Sequence, residues 1–190
     1  MNFSGTLKNL GEIDISQLKE VIEQCSEQEW QENLLRQQQF EVHYQTQSLL
    51  LLFCDLDAWP NVRINKEHAW DKYAHLAKPI MDEVLSKHYP AGGTILRCVL
   101  ARLDQGGIIK PHVDAHPSFA IGHRIHVPIT TNDKVRFTID GKPHHLNVGN
   151  VFEVNNLKKH SVMNKGNSAR VTLIFDYIPP ENMSSINLID

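Results

Sequence analysis

The spacing of apolar positions along this 190-residue chain changes character near residue 90. Ahead of that point, two stretches carry apolar residues three and four apart. DISQLKEVIEQC, residues 14–25, sets Leu18, Val21, Ile22 and Cys25 on one side behind Asp14 or Ser16, which predicts a short amphipathic helix. From about Lys66 to His88, Trp70, Tyr73, Ala77, Ile80, Met81, Val84 and Leu85 form a second stripe, and Pro79 is expected to kink or divide that helix. Between the two, LLLLFC at 49–54 is too short to cross a bilayer and reads as a strand covered on both faces. The helices are expected to pack outside a sheet, with their aromatic residues in the core.

Beyond Gly92 the pattern shortens to β-rich runs between turns: TILRCVLARL, IIKPHVD, HRIHVPITT, KVRFTI, KPHHLNV, NVFEV and ARVTLIFDYI. Asp140-Gly141, between KVRFTI and KPHHL, is a dipeptide suited to a two-residue hairpin. Closely spaced strands with such turns predict a mainly β fold with N-terminal helices, closed as an antiparallel barrel or sandwich. One domain over 1–190 is expected: a helical and strand support layer to about residue 90, a β core over about 92–178, and a loosely held tail at 179–190.

Composition narrows the function. A net charge of −3 leaves no basic excess to attract nucleic acid. The three cysteines, Cys25, Cys54 and Cys98, are too scattered for a disulfide framework or a thiolate zinc site and read as buried thiols. With neither a basic leader nor an apolar segment at the N-terminus, a cytoplasmic protein with no membrane attachment is expected.

The chemistry gathers around IIKPHVDAHP, residues 108–117. On a strand, His112 and Asp114 project to one side while Val113 turns to the other. An imidazole and a carboxylate on one buried face are costly unless something binds them, and a metal is the natural partner. Two neutral imidazoles and one carboxylate suit a non-haem ferrous centre with open positions. His160, in the polar turn NNLKKHSVMNKG before the last strand, is the best candidate for the second imidazole. Alternation in ARVTLIFDYI puts Arg170, Thr172 and Ile174 on one face and Val171, Leu173 and Phe175 on the other. An inward Arg170 calls for an anion, and a planar carboxylate answers it with two charge-assisted hydrogen bonds. In HRIHVPI, Arg124 and His126 likewise share a face opposite Ile125 and Val127.

PHVD at 111–114, RIHVPI at 124–129, and His160 followed ten residues later by Arg170 together resemble the aspartyl/asparaginyl β-hydroxylase family of Fe(II)- and 2-oxoglutarate-dependent oxygenases. The chain also looks like the bacterial free-proline hydroxylases grouped with that family. The resemblance covers roughly Thr94 to Ile178. It implies a double-stranded β-helix (a jelly-roll, cupin-like barrel), with Fe(II), 2-oxoglutarate and O2 as cofactors. It further implies that His112, Asp114 and His160 bind iron, that Arg170 grips the distal carboxylate of 2-oxoglutarate, and that His126 touches the same molecule. Arg124 is left between 2-oxoglutarate and a substrate carboxylate. The implied reaction is hydroxylation of a C–H bond in an amino acid, free or within a peptide. Asp114 departs from the animal peptidyl-aspartyl hydroxylases, which lack that carboxylate, and from halogenases, which need its place for halide.

Other positions take plainer roles. Arg97 and Arg102 fall on opposite faces of TILRCVLARL, so at most one points inward, where a substrate carboxylate is one partner for it. His116 does not complete a hydrolytic zinc motif. His144 and His145 face opposite ways and are left unassigned, and His43, His68, His75, His88 and His123 are expected at the surface or in packing. The alternative from a different class is a cupin-like metal-binding barrel acting as a non-redox isomerase or small-acid sensor, with no general reason to hold Arg170.

Overall fold

Period-two alternation in the β-rich half produces two sheets packed face to face. The structure is a computed structural model that describes residues 3–33, 38, 43–55 and 57–189. The first elements are β1 (Leu7–Glu12), α1 (Ser16–Glu23), α2 (Glu27–Gln31), β2 (Thr46–Cys54), β3 (Asn61–Val62), β4 (Ile64–Lys66) and α3 (Trp70–His88). There follow β5 (Thr94–Leu103), β6 (Ile108–His112), α4 (Ser118–Ile121), β7 (His123–Thr130), β8 (Val135–Ile139), β9 (Lys142–His144), β10 (Asn150–Val154), β11 (His160–Asn164) and β12 (Arg170–Ile178). A 3-10 helix at Pro180–Ser185 leads to β13 (Asn187–Leu188).

The large sheet runs β1-β10-β7-β12-β5-β2-β4 and the small one β6-β11-β8-β9, a double-stranded β-helix of antiparallel pairs. Alternation sorts each long strand between two cores. Leu49 and Leu51 of β2, Cys98 and Leu100 of β5, and Leu173 and Phe175 of β12 join the helices' Leu18, Tyr73 and Met81 on the outer face. Leu50, Val99, Ala101 and Ile174 turn inward. Between the sheets, Leu103, Phe152 and Val154 meet Ile109, Phe137 and Val162. β2 is therefore covered on both faces, as LLLLFC predicts. Asp140 and Gly141 both have positive φ, 52° and 74°, and close the β8–β9 hairpin with the backbone twist that turn requires.

Four expectations change. Pro79 does not divide its helix, which runs unbroken from Trp70 to His88. The ring removes one N–H, freeing the His75 carbonyl, but both residues are exposed and water can satisfy that oxygen. The predicted helix start at Lys66 is instead the end of β4. His160 opens a strand rather than sitting in a turn, because HSVMN alternates buried and half-buried positions beneath its polar composition. The last residues are not loose: Ile186 is buried, and Asn187 and Leu188 pair in parallel with Asn61 and Val62. Among the described residues no helix is long and apolar enough to cross a membrane.

Pro79→Ala restores the missing helical hydrogen bond on an exposed face. It should raise unfolding free energy by about 1–3 kcal/mol with an unchanged urea m-value in equilibrium denaturation.

Candidate metal centre

Strand pairing solves the problem of distance in sequence. β11 pairs antiparallel with β6 so that His160 lies opposite His112, and the two rings sit 4.3 Å apart between centroids. The approach to β6 is set by Gly106, whose φ of +76° favours glycine, and its N–H bonds the Asn164 carbonyl of β11 at 2.8 Å. Asp114 lies just past β6, and its N–H donates to the Asn156 carbonyl at 3.1 Å. Val113 between them is exposed, so His112 and Asp114 still share the inner side.

The three side chains converge on one point. Asp114 Oδ1 is 3.6 Å from His112 Nε2 and 4.0 Å from His160 Nε2, and one donor atom from each residue lies within 4.8 Å of the others. The far sides of these groups are occupied. Asn156 Nδ2 donates to Asp114 Oδ2 at 3.0 Å, leaving Oδ1 toward the imidazoles. His112 Nδ1 is 2.8 Å from the Lys110 carbonyl and His160 Nδ1 is 2.9 Å from the Lys158 carbonyl. A carbonyl only accepts, so each Nδ1 carries a proton, which leaves Nε2 as the atom each ring can offer a cation.

Electrostatics favour the ionic states a cation needs. Burial pushes the Asp114 carboxyl up, but Arg124, His160, Asn156 and His112 outweigh it and hold it below the usual carboxylate range. Burial lowers His160 as well, against the pull of Asp114, which keeps the ring neutral. Two imidazole nitrogens and one carboxylate form a donor set of the kind that would hold a non-haem ferrous ion.

Cationic side chains surround this cluster. Arg170, His126, Arg124 and Phe137 line one cavity with the three residues. Arg170 is 3% exposed, its Nη2 has no hydrogen-bond partner among the described residues, and burial alone pulls its guanidinium down to about 10. Thr172 Oγ1, on the same inward face, is similarly unpartnered among the described residues. A buried cation with no ion pair among the described residues, and a hydroxyl on the same face that they leave unpartnered, fit an anionic ligand. Arg124 is more fully engaged: its Nη1 donates to both Asp176 oxygens at 3.1 Å, and its Nε lies 3.6 Å from Asp114 Oδ2.

The sequence pattern overlooks three of these neighbours. Asp176 is two residues beyond Ile174 on the inward face of β12, where simple alternation locates it. Asn156 sits in a polar turn with no distinguishing signal, and His43, which lines the cavity, belongs to no motif. Arg97 and Arg102 do face opposite ways. Arg97 points inward, while Arg102 reaches Glu27 of α2 at 2.7 Å on the helical side. His123 packs against Tyr89 and lies 2.6 Å from the buried Glu153 carboxylate, away from the cluster.

The sequence model of a family described as aspartyl/asparaginyl beta-hydroxylase matches residues 12–180. Among solved structures, a 2OG-Fe(II) oxygenase family oxidoreductase from Burkholderia pseudomallei aligns at 14% identity over 77% of this chain and 74% of its own, TM-score 0.56. A Pseudomonas putida prolyl-4-hydroxylase aligns at 12% identity over 93% of this chain and 94% of its own, TM-score 0.53. The viral collagen prolyl hydroxylase of Paramecium Bursaria Chlorella virus-1, in its 2OG complex, aligns at 9% identity over 92% and 96%, TM-score 0.52. At these identities the structural likeness speaks to the fold alone. No curated protein matches the chain.

Asp176→Ala would leave both Arg97 and Arg124 without their shared carboxylate. It should cost about 3–5 kcal/mol in denaturant unfolding, well above the effect of a surface Asp→Ala control such as Asp82→Ala.

Proposed function

The chain belongs to the aspartyl/asparaginyl beta-hydroxylase family of 2-oxoglutarate-dependent oxygenases, enzymes that work with Fe(II), 2-oxoglutarate and O2, and we propose that it hydroxylates a C–H bond of an amino acid, free or within a peptide. Aspartyl, asparaginyl and proline-like substrates are the first to test. The observation that carries this reading is the meeting of a His/Asp/His donor set with the buried, unpartnered Nη2 of Arg170 in a single cavity.

In this reading His112, Asp114 and His160 hold the iron, and Arg170 binds the distal carboxylate of 2-oxoglutarate with Thr172 and His126 alongside. Fe(II) with 2-oxoglutarate and O2 supplies the oxidising power for hydroxylation. The protein supplies aim and dryness. Asn156 holds Asp114 Oδ2, so Oδ1 stays directed at the metal position. Phe137, Ile109 and Val162 give the cavity an apolar wall, which strengthens the pairing of Arg170 with a carboxylate by excluding water. Arg124, already bound to Asp176 and close to Asp114, stiffens the carboxylate side of the donor set. The whole chain acts as one oxygenase domain, its helices bracing the outer face of the sheet that carries Arg170.

Anaerobic titration of Fe(II) into the protein should give a visible charge-transfer band only when 2-oxoglutarate is also present, and His160→Ala should lack it. Tight metal binding with no band in a folded protein would favour a non-redox metal barrel. Arg170→Met should weaken 2-oxoglutarate binding about 10- to 100-fold. The same change should leave the Fe(II) affinity intact and the thermal midpoint of the metal-free protein equal or higher, because a buried unpaired charge has been removed.

A further inference from the structure

A second cavity of about 310 Å³ adjoins the first, with His112, Asp114, Arg124 and Ile174 in both linings. That volume is the lower end of the range for small-molecule sites, roughly 300–1,000 Å³. It shares His112 and Asp114 with the donor cluster, so a molecule lying in it borders that cluster. Phe53, Val99, Phe119 and Ile174 give it apolar surface, and Arg97 lies in the same lining, with His43, His116, Arg124 and Asp176 as further polar groups.

Arg97 is 6% exposed and held on several sides. Its Nη1 donates to Ser118 Oγ at 3.0 Å and to Asp176 Oδ2 at 3.3 Å, and the guanidinium lies 4.8 Å from the Phe119 ring centroid and 5.8 Å from that of Phe53. Its Nη2 is buried with no hydrogen-bond partner among the described residues. A donor immobilised by an ion pair and two rings, and left without an acceptor, is preorganised for a ligand oxygen.

Charge then selects the ligand. Among the arginines and carboxylates that line the two cavities, Arg97 and Arg124 balance Asp114 and Asp176, and Fe(II) would balance doubly charged 2-oxoglutarate. Arg170 leaves one positive charge over, which a monocarboxylate neutralises and a zwitterion does not. The side-chain carboxylates in the lining are also engaged already, Asp176 by the two arginines and Asp114 by Asn156, so neither is free to receive an ammonium. Resting on the oxygenase reading of the neighbouring cluster, we propose that Arg97 Nη2 docks the substrate's carboxylate. The substrate class is a small monocarboxylate with an apolar body and no free ammonium beside the carboxylate, as in an N-acyl amino acid.

Three probes on one scaffold test this: N-acetylnorleucine, norleucine, and N-acetylnorleucine amide. Their binding is measured calorimetrically to the metal-free protein and to protein loaded anaerobically with Fe(II) and 2-oxoglutarate. N-acetylnorleucine should bind at least tenfold more tightly than either relative. Arg97→Lys, which keeps a cation beside Asp176 but removes Nη2, should lose that advantage while retaining the charge-transfer band. Equal binding of the three probes, tighter binding of norleucine, no binding by any, or an unchanged ranking in Arg97→Lys would each overturn the proposal. If the variant does not fold, the wild-type ranking decides. Absence of the band in wild-type protein would count against the oxygenase reading, and the metal-free ranking would still report on Arg97.

Discussion

Ionised groups buried on the inner face of the large sheet constrain everything around them. An ion taken out of water loses several kcal/mol of solvation, so each one here must find a counter-charge or a ligand. Arg97, Asp176, Arg124 and Asp114 meet that requirement as a row of alternating charge, linked at 3.3, 3.1 and 3.6 Å. The row crosses from β5 to β12 to β7 and ends at the donor set. What it does not neutralise is informative: Arg170, and one N–H edge of Arg97, stand at the two cavities that adjoin the cluster.

β12 shows how one strand carries both stability and chemistry. Its outward residues Val171, Leu173, Phe175 and Tyr177 are packed against the helices, and its inward residues Arg170, Thr172, Ile174 and Asp176 form the site. All nine of its residues are buried, and it is paired on both sides by β5 and β7. Side chains projecting from a central strand have little freedom to drift, which is what a geometry-dependent oxidation needs.

Much of this was legible because period two is a strong signal on long strands. The shared face of Arg124 and His126, and that of Arg170, Thr172 and Ile174, follow from alternation, and so does the placing of Arg97 and Arg102 on opposite faces, while the fold decides that Arg97 is the inward one. The joining of His160 to His112 was less accessible, since it depends on the β6–β11 register, which a polar run such as HSVMN hides. β1 escaped notice for a similar reason: LKNLGE has only two apolar residues and is an edge strand with a register irregularity. Pro79 does not divide its helix, since the carbonyl it frees lies on an exposed face where water can reach it. Asn156 and His43 carry no periodic or motif signal, and only the folded arrangement places them beside the cluster.

The two histidine rings owe their orientation to backbone carbonyls, at Lys110 and Lys158, two residues before each ring. Orientation is thus inherited from the main chain rather than from neighbouring side chains. Substitution drift at positions 110 and 158 leaves the aim of both imidazoles intact, so a lineage can change side-chain charge and bulk there without re-aiming the donor set. The Asp114 arm has no such insulation, since its aim depends on two particular side chains, the Asn156 amide and the Arg124 guanidinium. The carboxylate of the donor set is therefore the point at which this scaffold is most open to evolutionary change.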